Sequence, residues 1–272
     1  MTGRIYSGEL DLPAHDVSDG TNVVLMLSHE SGKRVAEFFS RRNIEKVVAL
    51  YLEEESAFSD EIIEILDVGP ERVFFGKDVL SDHENIKWLH EQDVDFLLTV
   101  YWPWLLDEKL FSAAKNTMNF HPALLPVNRG WYPHVHSILD GSKCGVTLHQ
   151  ISKDADQGDV WVQKEVVVND SETAKDIYIR LQDEICELFT SNWENIRLGH
   201  CKATPQEHEN ASYHAKNELD LLDKLDLDQI SGRELFNLLR ARSFGNRGFA
   251  YIENEDEKLF LNLRIGNSSL FE

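Results

Sequence analysis

Cysteine, long apolar runs and positive charge are all scarce in this 272-residue chain. Its three cysteines, Cys144, Cys186 and Cys201, stand far apart and form no CxxC pair. That excludes a cysteine-rich zinc module and points to reduced thiols in a cytoplasmic protein, with no metal expected. No apolar stretch approaches the ~20 residues of a membrane helix. Residues 1–20 are polar and acidic, without the basic-then-apolar order of an export signal, so no membrane association is expected. Basic residues number 27 against 48 acidic ones, a net charge of −21. A polyanion must be met by clustered Lys or Arg, so the balance argues against nonspecific nucleic-acid or acidic-membrane binding. A solvated acidic surface is the plain account of it, salt adaptation of the host the sharper one. No G-x-G-x-x-G follows the first strand-like run, which leaves a dinucleotide site unsupported.

What is present is the apolar content of a folded protein, 42%, of which aromatics are a good part. Asn22 to Leu27 is a continuous apolar run, the pattern of a strand buried on both faces. Ser31–Arg42 follows as an amphipathic helix. The alternation repeats with strands at Lys46–Leu52, Arg72–Phe75 and Val94–Tyr101 and helices at Ser59–Leu66 and Asp82–Glu91. Such alternation implies right-handed crossovers, hence an α/β fold with a Rossmann-like, mostly parallel sheet and flanking helices. Trp131–Asp140 reads as a helix, Cys144–Ile151 and Val160–Val168 as antiparallel neighbours. Asp170–Thr173 caps a long helix that stops at Gly199. Pro205–Tyr213 is a polar linker. Beyond it a helix, Gly232–Arg242, and a hairpin of Gly248–Ile252 with Lys258–Ile265 around the acidic turn Glu253–Glu257 are predicted. Two regions result: 1–203, and a small α+β region, 204–272.

Two chemical features stand out. Asn119 and His121 are two apart in a strand-like run and so project from one face. Pro122, Pro126 and Gly130 then force a shaped loop. A second polar turn, Asp154-Ala155-Asp156-Gln157-Gly158-Asp159, is able to return a carboxylate to that histidine. Tyr101-Trp102-Pro103-Trp104-Leu105-Leu106 is either core or the wall of a pocket for an aromatic ligand. Lys77, in a strand-to-helix loop, is either a surface lysine or a phosphate contact. His134 and His136 do not share a helix face, so a metal pair there is not expected.

Asn119-x-His121-Pro122-x-Leu124-Leu125-Pro126, Arg129-Gly130, Gly145-Val146-Thr147-Leu148-His149 and Asp156-x-Gly158-Asp159, in that order, resemble the folate-dependent formyltransferases. The resemblance covers roughly Asn22 to Gly199, more weakly beyond. It implies a catalytic triad of Asn119, His121 and Asp156, a pterin site on Trp102, Pro103, Trp104, Leu105 and Asp154, and 10-formyltetrahydrofolate as cosubstrate. Asn119 would stabilise an oxyanion, and His121 would act as base or as charged donor. His149 reads as a hydrogen-bonded supporting group. Two positions depart from the family: Ala123 where serine is frequent, and Asp154 where glycine is usual.

The acceptor is left open by the fold. Pro205–Glu272 holds thirteen Asp or Glu against eight Lys or Arg, a net of −5 and the wrong sign for docking tRNA. Val127 to Pro133, Ser212-Tyr213-His214 and Leu238 to Arg242 resemble the sugar-modifying branch. That implies an N-formyltransferase acting on a nucleotide-linked amino dideoxysugar, 3- or 4-amino and dTDP-linked, for surface polysaccharide. Lys77, Asn128, Arg129 and Trp131 are the candidates for holding it. A homodimer through the C-terminal hairpin is expected. The rivals are the same chemistry on methionyl-tRNA or glycinamide ribonucleotide, and a catalytically silent folate- or nucleotide-binding protein.

Overall fold

The computed structural model describes residues 20–255 and 257–266. The reading of residues 1–19 as free of an export signal, the outer ends of both predicted regions, and position 256 of the acidic turn lie outside them. In chain order the first elements are β1 (Thr21–Leu27), α1 (His29–Ser40), β2 (Glu45–Leu52), α2 (Ala57–Leu66), β3 (Val73–Phe75), α3 (His83–His90) and β4 (Val94–Val100). Then come α4 (Glu108–Phe111), β5 (Ala114–His121), β6 (Arg129–Gly130), α5 (Pro133–Leu139), β7 (Gly145–His149), β8 (Val160–Glu165) and α6 (Ala174–Arg197). The chain continues through β9 (Tyr213–His214), α7 (Gly232–Ala241), β10 (Ser243–Phe244), β11 (Arg247–Gly248), β12 (Tyr251–Asn254) and β13 (Glu257–Phe260).

Seven strands form one sheet in the order β3-β2-β1-β4-β5-β7-β8. The first five are parallel, and β7 and β8 run antiparallel to their neighbours. The continuous apolar runs have the reason anticipated for them: Val23 to Met26 and Ala49 to Tyr51 are fully buried between two helical layers. On one face Phe39 of α1 meets Phe189 and Trp193 of α6, with the Phe39 and Trp193 rings edge to face at 5.5 Å. Truncating the fully buried Trp193 to Ala would cost about 3–5 kcal/mol. On the other face Tyr51, Leu89, Leu97 and Leu110 pack together. The Tyr51 hydroxyl donates to Asn85 at 3.1 Å, and burial pushes its pKa up to about 12. At the start of α6, Asp176 accepts from the backbone N–H and the hydroxyl of Thr173 at 2.8 and 2.7 Å, a reciprocal cap.

Three expectations are revised. The first helix begins at His29 because Ser28, in extended conformation, already serves as its N-cap. Pro205–Tyr213 is not a free linker: β9 pairs in parallel with β6, and Gln206 is buried. The hairpin shifts to Tyr251–Asn254 with Glu257–Phe260 because Gly248 is taken up in β11 against Ser243. Past β13 the chain continues along the same antiparallel register, Leu261 N–H bonding to Ala250 O at 2.8 Å and Leu263 N–H to the Ser243 hydroxyl at 2.8 Å. That hairpin leaves Leu259 and Phe260 exposed.

Candidate active site

The switch from parallel to antiparallel pairing gathers the polar residues. Because β4 and β5 run together, Thr99 lies opposite Asn119; because β7 returns antiparallel, His149 lies on the other side of it. The Thr99 hydroxyl donates to Asn119 Oδ1 at 2.7 Å, which turns Asn119 Nδ2 toward His149 Nε2 at 3.0 Å. His149 Nδ1 lies 2.7 Å from the Gln150 carbonyl, which can only accept. Nδ1 therefore carries the proton, and Nε2 offers a lone pair to Asn119. His149, 2% exposed, is thus the hydrogen-bonded support expected of it.

Two irregular backbones complete the floor. The Pro122–Gly130 loop, with a cis Leu125–Pro126 bond, is held by Thr147, whose hydroxyl donates to Ala123 O at 2.7 Å and accepts from Leu125 N–H at 3.2 Å. Asn128 adopts φ 58°, and its carbonyl accepts from His121 Nε2 at 3.2 Å. On the opposite side Asp156, at φ 55°, accepts from Gly130 N–H at 2.8 Å through Oδ2. Its Oδ1 stands 3.5 Å from each of Asn119 Nδ2, His121 Nδ1 and His149 Nε2. Gly158 is required nearby, since a Cβ there would fall 1.9 Å from Gln150 O.

Electrostatics separate the roles. Burial pushes the His121 pKa down, partly offset by Asp156 and reinforced by His149 and Arg129. With Nε2–H committed to Asn128 O, neutral His121 presents the Nδ1 lone pair toward Asp156. Burial alone would raise the Asp156 pKa, but His121, His149 and the Gly130 N–H outweigh it and hold the carboxyl well below its usual range. A neutral base next to a fixed carboxylate is an arrangement that accepts one proton and stabilises the resulting imidazolium.

This floor opens into a cavity of about 370 Å³, the size of a small-molecule site. Trp102, Pro103, Trp104, Leu105, Asp154 and Trp131 line it together with Asn119, His121 and Asp156. Three other sequence candidates lie elsewhere. Lys77 is exposed beyond edge strand β3, three strands away from β4 in the sheet order. Asn128 is fully buried, its amide donating to Ser137 and Ser142 hydroxyls at 3.0 and 2.8 Å. The guanidinium of Arg129, 6% exposed, turns to Gln206 Oε1 and His208 Nδ1 at 2.7 and 3.0 Å. Both serve the framework of the site instead of its cavity.

His29 also lines the cavity, in the loop after β1 where a parallel sheet collects ligands, and sequence reading gave no cavity role to Tyr132, His134, Tyr178 and Tyr213, which line it too. His29, Tyr101 and Tyr132 have positive φ, at 57°, 52° and 55°, a conformation that nothing in a non-glycine sequence announces. His134 is 7% exposed, and burial pushes its pKa down to about 4. His136 turns away from His134, as expected, and stacks on His214 with centroids 3.4 Å apart and planes 7° apart. Ligand atoms of His136, His214 and Glu218 lie within 4.8 Å of one another, but in-plane lone pairs of parallel rings do not converge on one ion.

Known proteins resemble this chain in sequence and in fold. A family model described as formyl transferase matches residues 12–191, and one described as N-formyltransferase dimerization C-terminal domain matches residues 218–267. The dTDP-4-amino-4,6-dideoxyglucose formyltransferase of Mycobacterium tuberculosis (strain ATCC 25618 / H37Rv) is 33% identical over 146 residues, 53% of this chain and 62% of the relative. A methionyl-tRNA formyltransferase of Sulfurihydrogenibium sp. (strain YO3AOP1) is 29% identical over 189 residues, 69% of this chain and 60% of the relative. The chain thus spans about three fifths of the length of these curated relatives. The solved structure of a 4-N formyltransferase from Francisella tularensis superposes with a TM-score of 0.77 at 24% identity, covering 91% of this chain and 98% of that one.

Proposed function

We propose, for a chain that belongs to the formyl transferase family, that its cavity moves a formyl group from 10-formyltetrahydrofolate to the amino group of a nucleotide-linked amino dideoxysugar. The observation that carries this reading is the focus of Asn119, His121 and His149 nitrogens on one Asp156 oxygen at the foot of an aromatic-walled cavity. The neutral amine attacks the formyl carbon, and the carbonyl oxygen becomes an oxyanion. One Asn119 N–H is held by His149; the other faces Asp156 at 3.5 Å and is the donor for that oxyanion. His121 Nδ1 takes the proton released by the amine, with Asp156 stabilising the imidazolium. The carbon–nitrogen bond to the folate then breaks, and the folate nitrogen leaves with a proton returned to it. The products are a formamide and tetrahydrofolate.

Trp102, Pro103, Trp104, Leu105 and Asp154 suit the pterin, and Trp131 the acceptor. The ammonium of Lys216 lies 4.5 Å over the Trp131 ring, bringing positive charge to that rim. It is offered for the phosphate contact first considered for Lys77 and Arg129. The Mycobacterium relative is named for a dTDP-linked 4-amino sugar and the Francisella one for 4-N formylation, which supports a dTDP-linked 4-amino acceptor. The exposed Leu259 and Phe260 of the C-terminal region support pairing into a homodimer.

Methionyl-tRNA is the second reading, favoured by the 29% identical relative. Against it stands the net −5 of residues 205–272, which repels a polyanion. The test is formyl transfer from 10-formyltetrahydrofolate to a panel of dTDP-, UDP- and GDP-linked 3- and 4-amino dideoxysugars, with glycinamide ribonucleotide and methionyl-tRNA alongside. Turnover of one amino sugar, lost in His121→Asn, is the expected result. Turnover of tRNA or the purine precursor alone would overturn the acceptor, and folate binding without turnover on any acceptor would overturn the enzyme.

A further inference from the structure

Between the two matched stretches, 12–191 and 218–267, lies a strap that neither family model covers. It carries Gln206, 8% exposed and outside the cavity lining. The Gln206 amide donates to Asp156 O at 2.9 Å and to Gly158 O at 2.7 Å, while its carbonyl accepts from Arg129 Nη2 at 2.7 Å. Two carbonyls on one side and a guanidinium on the other permit only one orientation of the amide. The ring closes through the backbone, because Gly130, next to Arg129, donates its N–H to Asp156 Oδ2 at 2.8 Å. Asp156 is thus clamped twice, at its carbonyl by Gln206 and at its carboxylate by Gly130.

The clamp acts where the backbone would otherwise move. Asp156 at φ 55° sits in a left-handed conformation that costs a non-glycine residue on the order of 1 kcal/mol. Its Oδ1 accepts from Asn119 Nδ2 at 3.5 Å and stands 3.5 Å from the His121 Nδ1 that is to gain a proton, distances already at the outer limit of hydrogen bonding. A shift of about 1 Å would break that focus and is worth roughly 100-fold in rate. We infer that Gln206 is a positioning residue for the reaction, acting through the Asp156 turn and touching neither substrate; this rests on the formyl-transfer reading of the site.

The test uses the full chain and two variants. Gln206→Met keeps volume and neutrality but removes every hydrogen bond; Gln206→Glu keeps the Arg129 contact and sets an acceptor against both carbonyls. Each is expected to lower kcat about 10- to 100-fold, with KM for folate and acceptor within about twofold. Of the titratable or charged groups facing His121, namely Asp156, His149 and Arg129, only Asp156 favours the protonated ring. The NMR titration midpoint of His121, assigned with His121→Asn, should therefore fall in Gln206→Met. A folded variant with kcat within twofold of the unaltered enzyme, or with an unmoved His121 midpoint, would overturn the positioning role. Should Gln206→Met fail to melt cooperatively, Gln206→Glu decides by the same kcat criterion. Should no acceptor turn over in the unaltered enzyme, the functional reading falls, and the His121 midpoint alone decides for or against Gln206.

Discussion

On the floor of the cavity Asn119 is held by Thr99 and His149, and Asp156 by Gly130, whereas on the wall the buried Tyr101 hydroxyl and Trp102 indole N–H meet no hydrogen-bond partner among the described residues. The floor sits on strand ends whose register places each donor opposite its acceptor. The wall follows β4 as an irregular segment, with Leu105 76% exposed. Reaction geometry tolerates little displacement, so its groups are fixed before any ligand arrives. Ligand binding uses broad apolar contact, which the Trp, Pro and Leu side chains of the wall supply.

If that division holds, substitutions on the floor act on turnover and substitutions on the wall act on affinity. The largest effect is expected for His121→Asn, a loss of about 1000-fold in kcat with folate binding retained, read by steady-state kinetics beside equilibrium titration. An equal loss of folate affinity would erase the distinction. Next comes His134, buried in the wall and held neutral with a pKa of about 4. Its folded value is below the ordinary 6.5, so its contribution to stability is full above pH 6.5 and lost as pH falls toward 4. At pH 5 the loss is on the order of 2 kcal/mol. Urea unfolding at pH 7 and 5 should show a smaller acid loss in His134→Gln than in the parent, and identical losses would remove His134 as the cause. Trp102→Ala should raise the folate Kd roughly tenfold, about 1.4 kcal/mol, and leave kcat nearly unchanged. The smallest effect belongs to Thr99→Val, which frees the Asn119 carbonyl. A several-fold drop in kcat at constant KM, worth about 1 kcal/mol, is expected, and a change confined to KM would place Thr99 with the wall.

Much of the floor was legible because it obeys simple periods. The parallel strands are buried on both faces and therefore appear as unbroken apolar runs, and Asn119 and His121 share a face because a strand repeats every two residues. Pairing them with Asp156 took the family resemblance, since a carboxylate in a polar turn has no period to follow. Less legible was everything that depends on unusual backbone. The positive φ of Tyr132 brings to the cavity a side chain that helix and strand periodicity would point elsewhere. Asn128 and Arg129 follow His121 closely in sequence, yet the turn at Asn128, φ 58°, aims both side chains into the framework. The strap at Gln206 is polar and aperiodic, and its bonds go to carbonyl oxygens, which every residue type shares.

The pairing of Arg129 with Tyr213 joins β6 to a strand 84 positions later, and the Gln206 bond reaches back 50 positions to Asp156. A ribosome extends the chain from its N-terminus at about 5–20 residues per second, so the interval between making Asp156 and making Gln206 is on the order of 3–10 seconds. For most of that interval all seven strands of the main sheet have been synthesised, since β8 ends at Glu165, nine residues after Asp156 and well before Gln206. A nascent chain therefore holds the material of a complete sheet well before it holds the material of a complete site.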